Sequence, residues 1–188
     1  MGRSAAYGHR AATAPRSGAR LVIAVFAIWA TGGPASANPI RSDALEAFAA
    51  HCFSPDLTAA RAAQVIEPAG ARVAFYDLAP FSAATPSPAA GAVTPGTDRR
   101  CEVAFDGEYG ADAAEVAAAA LDAEGIRTEA PVPDSHPAVP GTTLLGARYL
   151  NPSRIAVVHT GTRPGPNGPE TFLSVERLTP EASAEAAR

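Results

Sequence analysis

Residues 1–37 decide which part of this chain folds. Arg3, Arg10, Arg16 and Arg20 make a basic leader without an acid, and an apolar run follows over residues 21–30. Thr31-Gly32-Gly33-Pro34 breaks that run ahead of the small-residue segment Ala35-Ser36-Ala37. Basic, apolar and A-x-A segments in this order make a secretory signal, with cleavage between Ala37 and Asn38. The apolar core is far shorter than the ~20 residues a spanning helix needs, so no stable membrane span is expected after cleavage. The most hydrophobic stretch of the chain therefore stays out of the core. What remains is assigned to an oxidising compartment, periplasmic or secreted.

Of 188 residues, removal of 37 leaves 151, enough for a single domain with a genuine core. We expect that domain over residues 38–178, with a C-terminal tail at 179–188 able to form a short helix with a frayed end. Four of the 15 basic residues and none of the 19 acidic ones lie in the leader, so the remainder carries 11 against 19, a net charge of −8. Such a domain repels phosphate backbones, which argues against a nucleic-acid partner. Every basic residue other than His is Arg and the chain is rich in Ala, which reads as GC-rich coding bias.

Two cysteines remain, Cys52 and Cys101. An even pair in an exported chain predicts a disulfide. Leu45, Phe48, Ala49 and Cys52 fall on one face of a helix, and Cys101, Val103 and Phe105 alternate as the inward side of a strand. Both thiols thus face the presumed core. A redox motif would present C-x-x-C, which is absent. A zinc site would need His51, Cys52, Cys101 and His159 to converge from distant positions, so no metal or cofactor is expected.

The rest of the pattern gives the order α-α-β-β-α-β-β-β. Ser42 before Asp43-Ala44-Leu45-Glu46 reads as the cap of a first helix ending near Cys52. Ser54-Pro55-Asp56 starts a second, with Pro at its first position. Strands are predicted over 72–78 and 99–106, separated by a long Pro-rich loop at 79–98 that offers little chemistry. Asp112 with Glu115 is a capping-box variant opening an Ala-rich helix that stops at Gly125. That helix is not expected to serve a membrane or a partner, since Ala buries too little area to drive binding. After a second Pro-rich connection at 131–140, strands follow over 143–150, 155–158 and 171–178. Asn151-Pro152-Ser153 joins the first two, and a projecting, rigid Pro/Gly connection at 163–169 joins the last two. The fold class is α+β: an antiparallel sheet of about five strands with helices largely on one face.

No G-x-S-x-G, Walker loop, dinucleotide fingerprint or H-E-x-x-H is present. Asp134-Ser135-His136 has the residue types of a triad. Triads are spatial rather than sequential, and flanking Pro133 and Pro137 mark an exposed loop. His159, at the end of the 155–158 run beside Thr160-Gly161-Thr162, is the one weak catalytic candidate. Asp77, Glu102, Asp106 and Glu176 lie on strands where a carboxylate pair could arise, with solvated sheet-face charges as the simpler expectation.

The Ala-rich leader, the helix ending in Phe48-x-x-x-Cys52 and the strand Cys101-Glu102-Val103 resemble small uncharacterised secreted proteins of alphaproteobacteria. That resemblance implies a periplasmic, disulfide-containing domain and assigns no activity. The expectation is a non-enzymatic binding or accessory module whose partner is a periplasmic protein or small ligand. The alternative is a small periplasmic hydrolase using His159 with a sheet carboxylate.

Overall fold

A computed structural model describes residues 38–81 and 85–188. The leader and Ala37 of the cleavage site lie outside the described residues. Helix α1 spans Pro39–His51. Its cap is Asn38 rather than Ser42: the Asn38 side chain accepts from the Ile40 N–H at 3.1 Å and Pro39 occupies the first turn, where a missing N–H costs nothing. Helix α2 spans Ala59–Ile66 and is capped by Thr58, whose hydroxyl accepts from Arg61 N–H at 3.3 Å. It starts later than the Ser54-Pro55 signal predicts. The carbonyls of Ser54 and Pro55, which an earlier start would commit to the helix, instead accept from Arg99 at 2.5 and 3.3 Å.

A 3-10 turn at Glu67–Ala69 leads into β1 (Arg72–Asp77), followed by β2 (Thr97–Asp106), α3 (Gly110–Ala123), β3 (Glu129–Ala130), β4 (Thr142–Asn151), β5 (Arg154–Gly165), β6 (Gly168–Leu178) and α4 (Pro180–Ala186). The expected box at Asp112 does not form. Asp112 sits inside the first turn of α3 and accepts from Arg41 at 3.3 Å, while Tyr109 holds the cap position without a side-chain bond. Gly125 stops the helix as expected, with φ at 74°.

The six strands form one antiparallel sheet in the order β1-β2-β6-β5-β4-β3. The expected count of about five omitted β3, which is two residues long and pairs only with Ala147 and Arg148 of β4. The expected loop at 163–169 is mostly strand. Pro164 pairs with Pro169 and Gly165 with Gly168, leaving Pro166-Asn167 as the turn. Two facing prolines fit a ladder position where neither residue donates across the pair.

Helices α1, α2 and α3 cover one sheet face. Phe48, Leu57, Ile66, Ala113, Ala117 and Leu121 meet Phe75, Cys101, Val103, Phe105, Val158 and Leu173 there in one core. The disulfide Cys52–Cys101, with 5.4 Å between its Cα atoms, ties the end of α1 to β2 inside that core. The last helix, α4, lies on the opposite face. Its Ala182 and Ala186 pack on Ala147, Ile155, Val157 and Leu178. The tail forms the short helix its sequence allows, capped by Thr179, which accepts from Ala182 N–H, and tied to β5 by Ser183, which accepts from Ile155 N–H.

Candidate functional site

His159 stands on β5 opposite Leu145 of β4 and Ser174 of β6, on the sheet face away from α1–α3. Its Nε2 lies 2.8 Å from the Thr142 hydroxyl, and its ring meets Phe172 edge-on with centroids 5.0 Å apart. Burial holds the imidazole below its ordinary 6.5, although Glu176 and Glu102 pull the other way. The half-buried imidazole is thus held by a threonine hydroxyl and packed edge-on against a phenylalanine. Among the described residues, no carboxylate hydrogen-bonds to its ring.

The four strand carboxylates are all committed to ion pairs. Three of them are buried rather than solvated: Asp77, Glu102 and Glu176 are 3, 6 and 7% exposed. Glu102 pairs with Arg100 and, at 2.6 Å, with Arg163. Arg163 also reaches Glu170 at 2.7 Å and lies over the Phe172 ring. Asp106, at the exposed end of β2, takes Arg72 at 2.9 Å and Asn167 at 3.0 Å. Asp77 belongs to the opposite face, where Arg99 and Arg177 each hold it at 3.0 Å. The candidate carboxylates therefore do not converge on His159.

His136 corrects the sequence reading most. Asp134 and Ser135 are exposed, but His136 is turned inward and only 7% exposed. Its Nε2 lies 3.6 Å from Glu176 Oε2, too far for a hydrogen bond, and both atoms are buried with no other partner among the described residues. Its Nδ1 is 2.9 Å from the Ser135 hydroxyl. A hydrolytic triad places serine on Nε2 and the acid on Nδ1, so this order is reversed. The imidazole instead pins the 131–140 connection onto the sheet. Burial alone would raise the Glu176 carboxyl, but contacts from His136 and Thr94 and the charge of Arg100 outweigh it and hold it below its ordinary range.

Among the described residues His159 lines none of the hollows, and two of these have the most apolar walls. The larger is a groove of about 590 Å³ between α1 and α3. Its floor is Leu45, Ala49, Val116, Ala119 and Ala120, and Glu46, Glu115 and Glu124 stand around it. At one end Arg41 bridges to Asp112 at 3.3 Å. Small side chains on α3 keep the groove open where larger ones would fill it. The sequence shows those alanines but not that α1 runs beside them. The smaller place is a hollow of about 250 Å³ reached by Arg99, Arg177 and Phe81.

Among the described residues, no group of three or more His, Cys, Asp or Glu side chains is placed to hold a metal ion, and no helix is long and apolar enough to cross a membrane. Comparison with protein-family models, curated proteins and solved structures finds no match to this chain.

Proposed function

We propose that this protein is a periplasmic, non-enzymatic accessory module that docks a partner protein in the groove between α1 and α3. The observation that carries the reading is the groove's chemistry. An apolar floor is bordered by Glu46, Glu115 and Glu124, and among the described residues the one cation bridging to this border is Arg41, through Asp112. An acidic border around an apolar trough suits an amphipathic helix that carries arginines or lysines beside its apolar face. The −8 net charge of the chain after the leader steers such a segment toward it. The A-x-A leader and the buried Cys52–Cys101 bridge support an oxidising, exported setting.

The test uses two labelled helical peptides with the same apolar face, one basic and one acidic, followed by fluorescence anisotropy. The basic peptide is expected to bind saturably, and more weakly as salt rises. The acidic peptide is expected not to bind. Glu46 and Glu115 are exposed, so the double variant Glu46→Arg, Glu115→Arg keeps the fold and should reverse the preference. Equal binding of both peptides, or an unchanged preference in the double variant, overturns the proposal.

A further inference from the structure

On the helix-covered face, the ends of β1, β2, β5 and β6 share a buried ion network. Asp77 accepts from Arg99 and Arg177, and Asp98 accepts from Arg177 at 2.6 Å and from Arg154. Three guanidinium groups thus face two carboxylates, and one positive charge is left over. Arg99 and Arg177 are 7 and 4% exposed, so water neutralises that charge poorly. Burial lowers the Arg99 pKa, and Asp77, pulling the other way, does not offset it. Arg177 Nη1 and Arg154 Nε are buried with no hydrogen-bond partner among the described residues. Unused guanidinium donors in a buried network mark a place that can accept an anion.

Arg99 and Arg177 also line the 250 Å³ hollow, whose remaining walls include Phe53, Ile126, Leu150 and Val175. Phe81 lines it as well. It is 64% exposed, and its ring lies 4.5 Å from the Arg177 guanidinium carbon. We propose that this hollow binds a small organic carboxylate, with its apolar body against Phe53, Ile126, Leu150 and Val175 and its carboxylate on Arg177. Phe81 is the side chain that rotates off the guanidinium to admit it. The volume falls below the ~300–1,000 Å³ of drug-sized sites, which limits the ligand to a short-chain or single-ring acid. This site is separate from the α1–α3 groove and does not depend on its role.

The test titrates 3-phenylpropanoate, its primary amide and acetate into isotopically labelled protein, read by backbone amide shifts. The carboxylate should bind saturably with shifts at Phe81, Val175 and Arg177. The amide should bind at least about tenfold more weakly, the loss expected for one charge-assisted contact. Acetate, lacking the apolar body, should also bind more weakly. Leu150→Trp fills the hollow from a half-buried wall position and should abolish binding in a folded protein. Arg177→Met should do the same if it folds, and Leu150→Trp decides if it does not. Equal binding of acid and amide, shifts outside the hollow, no saturable binding, or retained binding in Leu150→Trp each overturn the proposal.

Discussion

Reducing the Cys52–Cys101 bridge is the perturbation whose size follows most directly from this structure. The cysteines are 49 residues apart in sequence. In the chain-entropy description, opening a loop of that length frees the unfolded state by about 4 kcal/mol at 25 °C. Cys52 and Cys101 are 2 and 0% exposed, so after reduction they stay packed between α1 and β2 and little native contact is lost. The effect should therefore reside in the unfolded chain. Native circular dichroism should be unchanged. The urea midpoint should fall by an amount equivalent to about 4 kcal/mol, and the urea dependence should steepen because a less constrained chain exposes more surface. For a domain of this size, the melting temperature should drop by roughly 8–16 °C. A loss under ~1 kcal/mol with unchanged urea dependence would refute the reasoning. It would mean that the unfolded chain already holds α1 against β2.

Other consequences are as specific. Phe48 is fully buried and meets Phe53 edge-on at 5.5 Å, so Phe48→Ala should cost about 3–5 kcal/mol in urea unfolding; a cost below ~1 kcal/mol would show that the core collapses around the gap. Gly141 has φ at +87°, and a Cβ there would lie 2.0 Å from the Thr162 carbonyl oxygen. Gly141→Ala should therefore destabilise by at least ~2 kcal/mol, from strain and the displaced β4–β5 contact. A neutral effect in a melting experiment would contradict that geometry. The pH dependence has two limbs. The His159 pKa is depressed below 6.5 in the fold, so as pH falls the unfolded chain takes that proton first. Stability is present above 6.5 and is lost on descending to the folded pKa. Glu176, also depressed, adds a second loss as pH falls from its ordinary 4.5 through its folded pKa. His159→Gln should flatten the first limb and Glu176→Gln the second in pH-dependent urea titrations. An unchanged slope in either would reject that assignment.

The sheet was largely legible because its strands bury one or both faces. The run Ile155-Ala156-Val157-Val158 lies in β5, between β4 and β6 and covered on both sides, and Cys101, Val103 and Phe105 point together at α1 and α3. The cysteine pairing followed from the same two periodicities. Local turn chemistry was less reliable where a distant side chain competes for the backbone. Arg99, 44 residues from Pro55 and 45 from Ser54, takes the carbonyls that delay α2. Strand β3 is too short to leave a period, and it exists only because β4 offers a free edge.

The candidate site was legible in its residue types and not in its arrangement. His159 stands out in the sequence for ending an apolar run, yet Thr142 and Phe172 engage it, and neither is adjacent in sequence. The proline neighbours of His136 mark an exposed loop, yet its N–H closes a turn on the Pro133 carbonyl at 2.9 Å and its side chain is buried. The groove needs α1 and α3 side by side, and the ion network joins residues from β1, β2, β5 and β6. Neither has a local sequence signature.

A backbone-amide shift map recorded while the basic amphipathic peptide is titrated into the protein tests the docking claim most directly. The account predicts saturable shifts confined to residues 41–49 of α1 and to 112–124, along α3 and its C-cap Glu124. Shifts gathered instead along the β4 edge or the Pro166-Asn167 turn, or none at all, would contradict it.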